Sequence, residues 1–496
     1  MIGSRPTRAI AAALALSLAL PGVARADDLS RSIDGAVAKI GKDARVSILV
    51  RSVTTGETLY ERDADEARAP ASTMKLATTA AALELLGADF QHETGVYAVG
   101  TLGADGTLKG DLLIRGSGDP SISRRFQVDD SPLLADWADE LKRKVKVVEG
   151  DVIADDRAFE RNGFHPDWNP KEAQDWYAAE VSALNLNDNC LDIETSSEGS
   201  GLHVVARPET RAVTLDVKAT PTGNKKDHRL SYVRDQDGST FHVTGKFWTK
   251  SPPFEASVAV SSPALLFANV LSDRLASAGV TIKGKARLVQ ATDPQPAGTP
   301  LLVHRSPLPR ALTVCNKRSQ NLYAECLLKT LGLKKGAGGS WDEGAKVVEK
   351  YLRGLEVPAE ETHVADGSGL SRENRLSANA LVRILTSVST GKNASVFLDS
   401  LSIAGTDGTL EKRLKDLPSG TMFRGKTGTM HGVSALAGLL EVESGTRGER
   451  EVIAIAVIVN GTNGAALARA AQDEAVRATI RKITTNGART PRASKP

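Results

Sequence analysis

Metal-ligand spacing is missing from this sequence. Its eight histidines include no His-Glu-x-x-His pair. No metal and no cofactor is therefore expected. Aromatic residues make up only 4% of the chain, which argues against base-stacking surfaces. Charge points the same way: 63 basic residues stand against 60 acidic ones, a net +3, so a nucleic-acid partner is excluded. The three cysteines, Cys190, Cys315 and Cys326, are an odd number and leave at least one thiol unpaired. If Cys315 and Cys326 share a helix, they lie too far apart to bridge. All three are expected to be buried structural residues. Past the N-terminal segment no apolar run approaches the ~18 residues of a membrane span, so the mature chain is expected to be soluble.

An apolar run does occur at the start. Arg5 and Arg8 precede the stretch from Ala9 to Leu20, and Ala24-Arg25-Ala26 fits a small-x-small cleavage site before Asp27. Residues 1–26 therefore read as a cleaved signal peptide of an exported protein, periplasmic if the source is Gram-negative. At 496 residues the chain exceeds one ordinary domain, and its hydrophobic content of 41% suits a globular core.

Three short motifs stand in order: Ser72-Thr73-Met74-Lys75, Ser319-Gln320-Asn321 and Lys426-Thr427-Gly428. Together they supply a nucleophile, an amine base, a second hydroxyl, an amide and a second amine, without histidine. Ser72 and Lys75 are three apart, so on a helix they share one face and the amine reaches the hydroxyl. Lysine serves as a base once its pKa falls, through burial or a nearby cation such as Lys426. Ser319 can relay a proton to the leaving group, and Asn321 can hold a substrate amide. On a strand Thr427 and Thr429 share a face and suit a substrate carboxylate beside Lys426. Gly428 lets another backbone approach. The N–H groups of Ser72 and Thr429 are candidates for an oxyanion hole.

Singly these motifs are weak. Ser389-Thr390-Gly391-Lys392 matches the first pattern and Ser377-Ala378-Asn379 the second. Order and context separate them. No Ser-x-Asn lies between Ser389 and Lys426, and Ser377 opens its helix less cleanly than Ser319. Lys-Thr-Gly occurs once.

The surrounding pattern alternates helices and strands. Residues 29–40 have helical spacing, 45–53 and Thr58–Arg62 read as strands, and Met74–Leu86 is an Ala/Leu-rich helix closed by Gly87. Residues 96–299 have another texture, with short β-like runs at 112–114, 145–153, 202–205, 212–217 and 240–247, and one helix at 264–278. Helices are expected at 320–331, 343–353, 376–389 and 465–483, and strands at 422–430, 434–443 and 452–459. The basic end, 485–496, reads as a disordered tail.

On these motifs the chain resembles the class C, low-molecular-mass penicillin-binding proteins, the D-alanyl-D-alanine carboxypeptidase/endopeptidases of penicillin-binding protein 4 type. Further family-like segments are Gly116–Pro120, 150–159, Ser182–Asn189, Asp366–Arg372 and Ser434–Gly438. The likeness spans about 28–483. It implies an α+β, serine β-lactamase/transpeptidase-like domain, an antiparallel sheet with flanking helices, formed by 27–95 plus 300–484. A mostly β insertion of two subdomains would fill 96–299. The 244 positions between Lys75 and Ser319 leave room for that insertion, and without it roughly 250 residues remain, a normal domain. The resemblance implies peptidoglycan stem peptides as substrate and β-lactams as covalent inhibitors. It also implies that Leu370, Arg372 and Met430 line the pocket for the stem's side chain. Two positions depart from the pattern: Gln320, where Asp or Asn is frequent, and His431 after Met430. A weak membrane or wall association stays open, as does the oligomeric state. The rival readings are a β-lactamase or esterase on the same scaffold, and a non-catalytic peptidoglycan-binding protein.

Overall fold

The computed structural model describes residues 28–127, 131–296, 298–444, 449–462 and 464–489. The leader expected at 1–26 and the end of the expected tail, 490–496, lie outside the described residues.

Six antiparallel strands make the central sheet. In spatial order they are Ser402–Ile403, Thr421–Met430, Val433–Ser444, Glu449–Asn460, Arg45–Ser52 and Thr58–Arg62. The two ends of the chain meet here, because Arg45–Ser52 pairs along its whole length with Glu449–Asn460. The middle strands are apolar on both faces, as strands buried between two layers must be. Ala435, Ala437, Leu439, Ala454, Ala456 and Ile458 face one layer. Leu436, Leu440, Val442, Ile453, Ile455 and Val457 face the other.

The second face is covered by the terminal helices Asp28–Val37 and Ala465–Arg489. Leu29, Ile33 and Val37 recur at helical spacing and pack on Ala468, Ala471 and Ala475. The first face carries the helix Met74–Leu86. Every residue from Met74 to Leu83 is buried, because helices Leu308–Lys317, Asn321–Lys335, Trp341–Gly354 and Ala378–Thr390 surround it. Its alanines let these neighbours come close. Its two buried threonines are satisfied internally: Thr78 donates to Gly367 O at 2.8 Å and Thr79 to Lys75 O at 2.6 Å. The helix carrying the first motif is thus the axle of the domain.

Strand Gln91–Leu102 leads into the insertion and Leu302–Pro307 leads out, and the two pair from Gln91↔Pro307 to Val96↔Leu302. The expected boundaries at 96 and 300 fall at this strand pair. Seven strands form the adjoining sheet. A three-stranded sheet (Cys190–Glu198, Gly201–Arg207, Phe254–Ala259) and a four-stranded one lie beyond. One apolar cluster joins them all, from Val96 and Leu112 through Leu191 and Ile193 to Phe241 and Phe267.

Three local differences from the sequence pattern have physical causes. The run 145–153 is two strands, Val147–Val148 and Val152–Asp155, separated where Gly150 N–H turns to Gly110 O. Helix Leu308–Lys317 escaped the periodicity, although Pro309 near its start is a helix-opening signal. The last helix continues through the expected disorder at 485 to Arg489. There Thr484 and Thr485 donate back to Ile480 O and Arg481 O at 2.9 and 2.7 Å. Cys190, Cys315 and Cys326 are free and buried. No described helix is long and apolar enough to cross a membrane.

Candidate active site

The nucleophile sits on a strained entry. Ala71 has φ 46°, a left-handed conformation that alanine rarely takes. Ala71–Thr73 then form a 3-10 turn that runs into Met74–Leu86. Thr73 ties the turn to Pro70 O through its N–H at 3.3 Å and its hydroxyl at 2.7 Å. The loop after Asp366 braces it from below: a Cβ on Gly369 would fall 1.9 Å from Ala71 O. Ser72 is half-buried, whereas Lys75, one turn on, is fully buried.

Lys75 Nζ has three neighbours: Ser72 Oγ at 3.1 Å, Asn321 Oδ1 at 2.6 Å and Ser368 O at 2.8 Å. The last two can only accept. A neutral amine has two N–H groups for them and one lone pair, which is left facing the Ser72 hydroxyl. The environment favours that neutral form. Burial lowers the Lys75 pKa to about 8, against the opposing pull of Cys315, Glu325 and Asp366. Lys426 is likewise buried, and burial and then the neighbouring Lys75 drive its pKa well down.

Ser319 stands in the tight link between helices Leu308–Lys317 and Asn321–Lys335, again with positive φ, 58°. Its hydroxyl accepts from Lys426 Nζ at 2.8 Å, and the same amine donates to Thr427 O at 2.8 Å. Asn321 donates to Tyr177 O at 2.7 Å, so its amide is oriented from both ends and keeps one N–H for a ligand. Gln320 turns away: its Nε2 donates to Asp188 at 3.2 Å.

Lys426 to Met430 close one side of the cleft. Strand Ser402–Ile403 pairs only with Arg424 and Gly425, so beyond that point no strand among the described residues covers the outer edge of Thr421–Met430. Such an edge can receive an extended peptide. Gly428 passes directly over the nucleophile turn. A Cβ there would lie 2.7 Å from Pro70 O and 3.1 Å from Ser72 N. Gly428→Ala must push the strand off the turn, and a displacement near 1 Å costs about a hundredfold in acylation. The second-order rate of labelling by a fluorescent penicillin measures it, and a wild-type rate would show that the close contact is dispensable. Thr427 is half-buried and Thr429 exposed on this strand. Half-buried Met430 ends it, where Arg372 donates to His431 O at 3.2 Å. Leu370 packs half-buried against the core beside the same loop. The structure therefore brings Arg372 to the end of the strand that Met430 closes, with Leu370 two residues away in the same loop.

Sequence reasoning missed the groups that act through backbone or from below. Tyr177 O arrives from the 3-10 turn Trp176–Ala178 and Ser368 O from the Asp366 loop. Glu325 lies beneath that loop. Its Oε1 accepts from Ser368 N–H at 2.8 Å, and its Oε2 from Gly367 N–H and Trp341 Nε1 at 2.9 Å each. Burial and then Asp366 raise its pKa to about 7. Asp366 in turn accepts from Gly369 N–H at 2.7 Å and Trp168 Nε1 at 2.9 Å. A signal for Glu325 was present: it follows Asn321 by four residues and so shares its helix face.

A family model described as the D-Ala-D-Ala carboxypeptidase 3 (S13) family matches residues 29–482. The chain belongs to that family. One S13-like relative, a D-alanyl-D-alanine carboxypeptidase from Actinomadura sp. (strain R39), is 33% identical over 458 residues, 89% of this chain and 83% of that protein. Another, a D-alanyl-D-alanine carboxypeptidase from Haemophilus influenzae, is 25% identical, covering 90% of this chain and 91% of its own length. The crystal structure of penicillin binding protein 4 from H. influenzae shares the fold, with a TM-score of 0.74 at 24% identity, over 91% of this chain and 99% of that one. The α+β architecture with a transpeptidase-like domain is thus the S13 fold.

Proposed function

We propose that this S13 protein is an exported serine DD-peptidase that hydrolyses the terminal D-Ala-D-Ala bond of peptidoglycan stem peptides. The same site cuts D-Ala–diaminoacyl cross-links. The observation that carries the reading is the Lys75 amine, held by Asn321 Oδ1 and Ser368 O with its third position 3.1 Å from Ser72 Oγ.

Lys75 takes the Ser72 proton as Oγ attacks the D-Ala carbonyl carbon. The oxyanion is received by the N–H groups of Ser72 and Thr429. The C–N bond breaks and the leaving amine gains a proton from Ser319; the proton that Lys75 took is relayed through Lys426 to restore the Ser319 hydroxyl, which leaves Lys75 neutral again. Water then attacks the ester carbonyl, Lys75 taking its proton and returning it to Ser72 Oγ as the acyl–oxygen bond breaks. Thr427 and Thr429 receive the terminal carboxylate beside Lys426, and Asn321 holds the stem amide. Leu370, Arg372 and Met430 receive the stem side chain. A β-lactam fits as a covalent inhibitor, because its ring amide presents the same carbonyl to Ser72. A solved complex of H. influenzae penicillin binding protein 4 with a β-lactam has the same fold, with a TM-score of 0.69.

The test is digestion of purified muropeptides by the mature protein, followed by mass spectrometry. Pentapeptides are expected to lose one alanine and cross-linked dimers to fall to monomers. Neither product from folded protein would end the reading. Rapid, repeated hydrolysis of penicillin, in place of a long-lived adduct, would shift it to a β-lactamase.

A further inference from the structure

A cavity of about 820 Å³ opens beside Ser319, between the catalytic domain and the insertion. We infer that it binds the second stem peptide of a cross-link, the part of the substrate that departs with the leaving amine. This rests on the DD-peptidase reading and extends it to a substrate side that the three motifs do not touch.

The leaving amine collects its proton at Ser319, so whatever is attached to that amine continues past Ser319. The cavity is lined by the residues on either side of that serine, Arg318 and Gln320. The acyl half of the substrate lies elsewhere, along the open edge of Thr421–Met430. The volume is within the ~300–1,000 Å³ of ordinary ligand pockets, far more than a single departing alanine fills.

The walls have the chemistry of a peptide bearing both carboxylate and amine groups. Arg124 pairs with Asp192 at 3.0 Å and with Glu255 at 3.4 Å. Arg125 pairs with Asp188, which is buried and also accepts from Gln320 and from Tyr323, at 3.2 Å each. These groups are fixed before a ligand arrives, which lowers the cost of binding. Asn187, Asp188 and Asn189 all have φ between 51° and 57°, backbone strain of the kind kept at ligand clamps. Arg318 differs: it is exposed, lines the cavity and has no ion pair among the described residues. A carboxylate next to the reacting amine takes the place of the terminal D-Ala carboxylate at Thr427 and Thr429, and a free guanidinium one residue from Ser319 is placed to take a carboxylate farther along the second stem. Trp176, 44% exposed at the rim, offers a face for the rest of the stem. It precedes Tyr177, whose carbonyl orients Asn321, so the rim joins the catalytic amide directly.

The experiment compares two rates in the full mature protein: cleavage of a purified cross-linked muropeptide dimer and trimming of a monomer pentapeptide. Arg318→Glu and Trp176→Ala are each expected to lower the ratio of dimer to monomer turnover by about tenfold, the loss of one anchor residue. Arg318→Lys is expected to recover part of it. Penicillin acylation of Ser72 in each variant reports an intact centre. Arg318 is exposed and unpaired, so its replacement leaves no buried group unsatisfied. An unchanged ratio in both variants overturns the inference and leaves the peptidase reading standing. So does a wild-type protein that trims pentapeptide but does not cut the dimer. A wild-type protein that acts on neither overturns both.

Discussion

Lys75→Met slows acylation of Ser72 by about three orders of magnitude, the range that a positioned general base supplies. Methionine matches the length of the buried stem and needs no solvent, so the interior around Met74–Leu86 can close over it. Two acceptors, Asn321 Oδ1 and Ser368 O, lose their donor, at a cost of roughly 1–3 kcal/mol each. The Ser72 hydroxyl keeps its place but has no group to take its proton. Single-turnover labelling with a fluorescent penicillin measures the effect, and Ser72→Ala, which lacks the acylated oxygen, marks zero. Labelling of Lys75→Met within about tenfold of wild type would assign the base elsewhere, with Lys426 the next amine in reach.

The same lysine sets a pH dependence. An amine is a base only when neutral, and burial brings the Lys75 pKa to about 8. The acylation rate should therefore rise with pH through about 8 and fall below it, by up to about tenfold per pH unit. In Lys75→Met this limb disappears. A wild-type rate that is flat from pH 6 to 9, roughly the span around that midpoint, would contradict the assignment.

The parts of this site that were legible in the sequence are those built from short local pieces. Ser72 and Lys75 are one helical turn apart. Lys426, Thr427 and Gly428 are consecutive on a strand, and the reason for Gly428 is the Pro70 carbonyl that crosses it. The Leu370–Arg372 loop came from family likeness, because no periodicity relates it to Met430. What escaped is carried by backbone atoms, which have no residue identity. Tyr177 O reaches Asn321 across 144 positions and Ser368 O reaches Lys75 across 293. Any side chain at 177 or 368 would present the same carbonyl. The left-handed residues Ala71 and Ser319 escaped for a related reason: neither is glycine, asparagine or aspartate, so nothing in their type announces the turn. The pairing of Gln91–Leu102 with Leu302–Pro307 escaped because a composition window cannot see a partner about 200 residues away.

Glu325→Ala should be the most damaging single change outside the reacting groups. The carboxylate is fully buried and receives three donors: Gly367 N–H, Ser368 N–H and Trp341 Nε1. Alanine leaves all three without an acceptor, each at roughly 1–3 kcal/mol, and opens a cavity between Asn321–Lys335 and Trp341–Gly354. A loss of about 4 kcal/mol or more from the catalytic domain is expected, read as a fall in Tm. The loop carrying Ser368 O is then free of its tether, so the Lys75 amine loses its alignment and labelling falls about a hundredfold. Glu325→Gln separates charge from shape. Near pH 8 the native carboxyl, with its pKa of about 7, is ionised and raises the Lys75 pKa. Removing that charge must move the acylation midpoint below about 8, toward neutral pH. A stable Glu325→Gln protein with an unmoved midpoint would mean that Glu325 only holds the loop. A midpoint that moves down would mean that the carboxylate also holds the Lys75 pKa up against the larger effect of burial, so that the buried acid beneath the loop helps to set the pH at which Ser72 becomes a nucleophile.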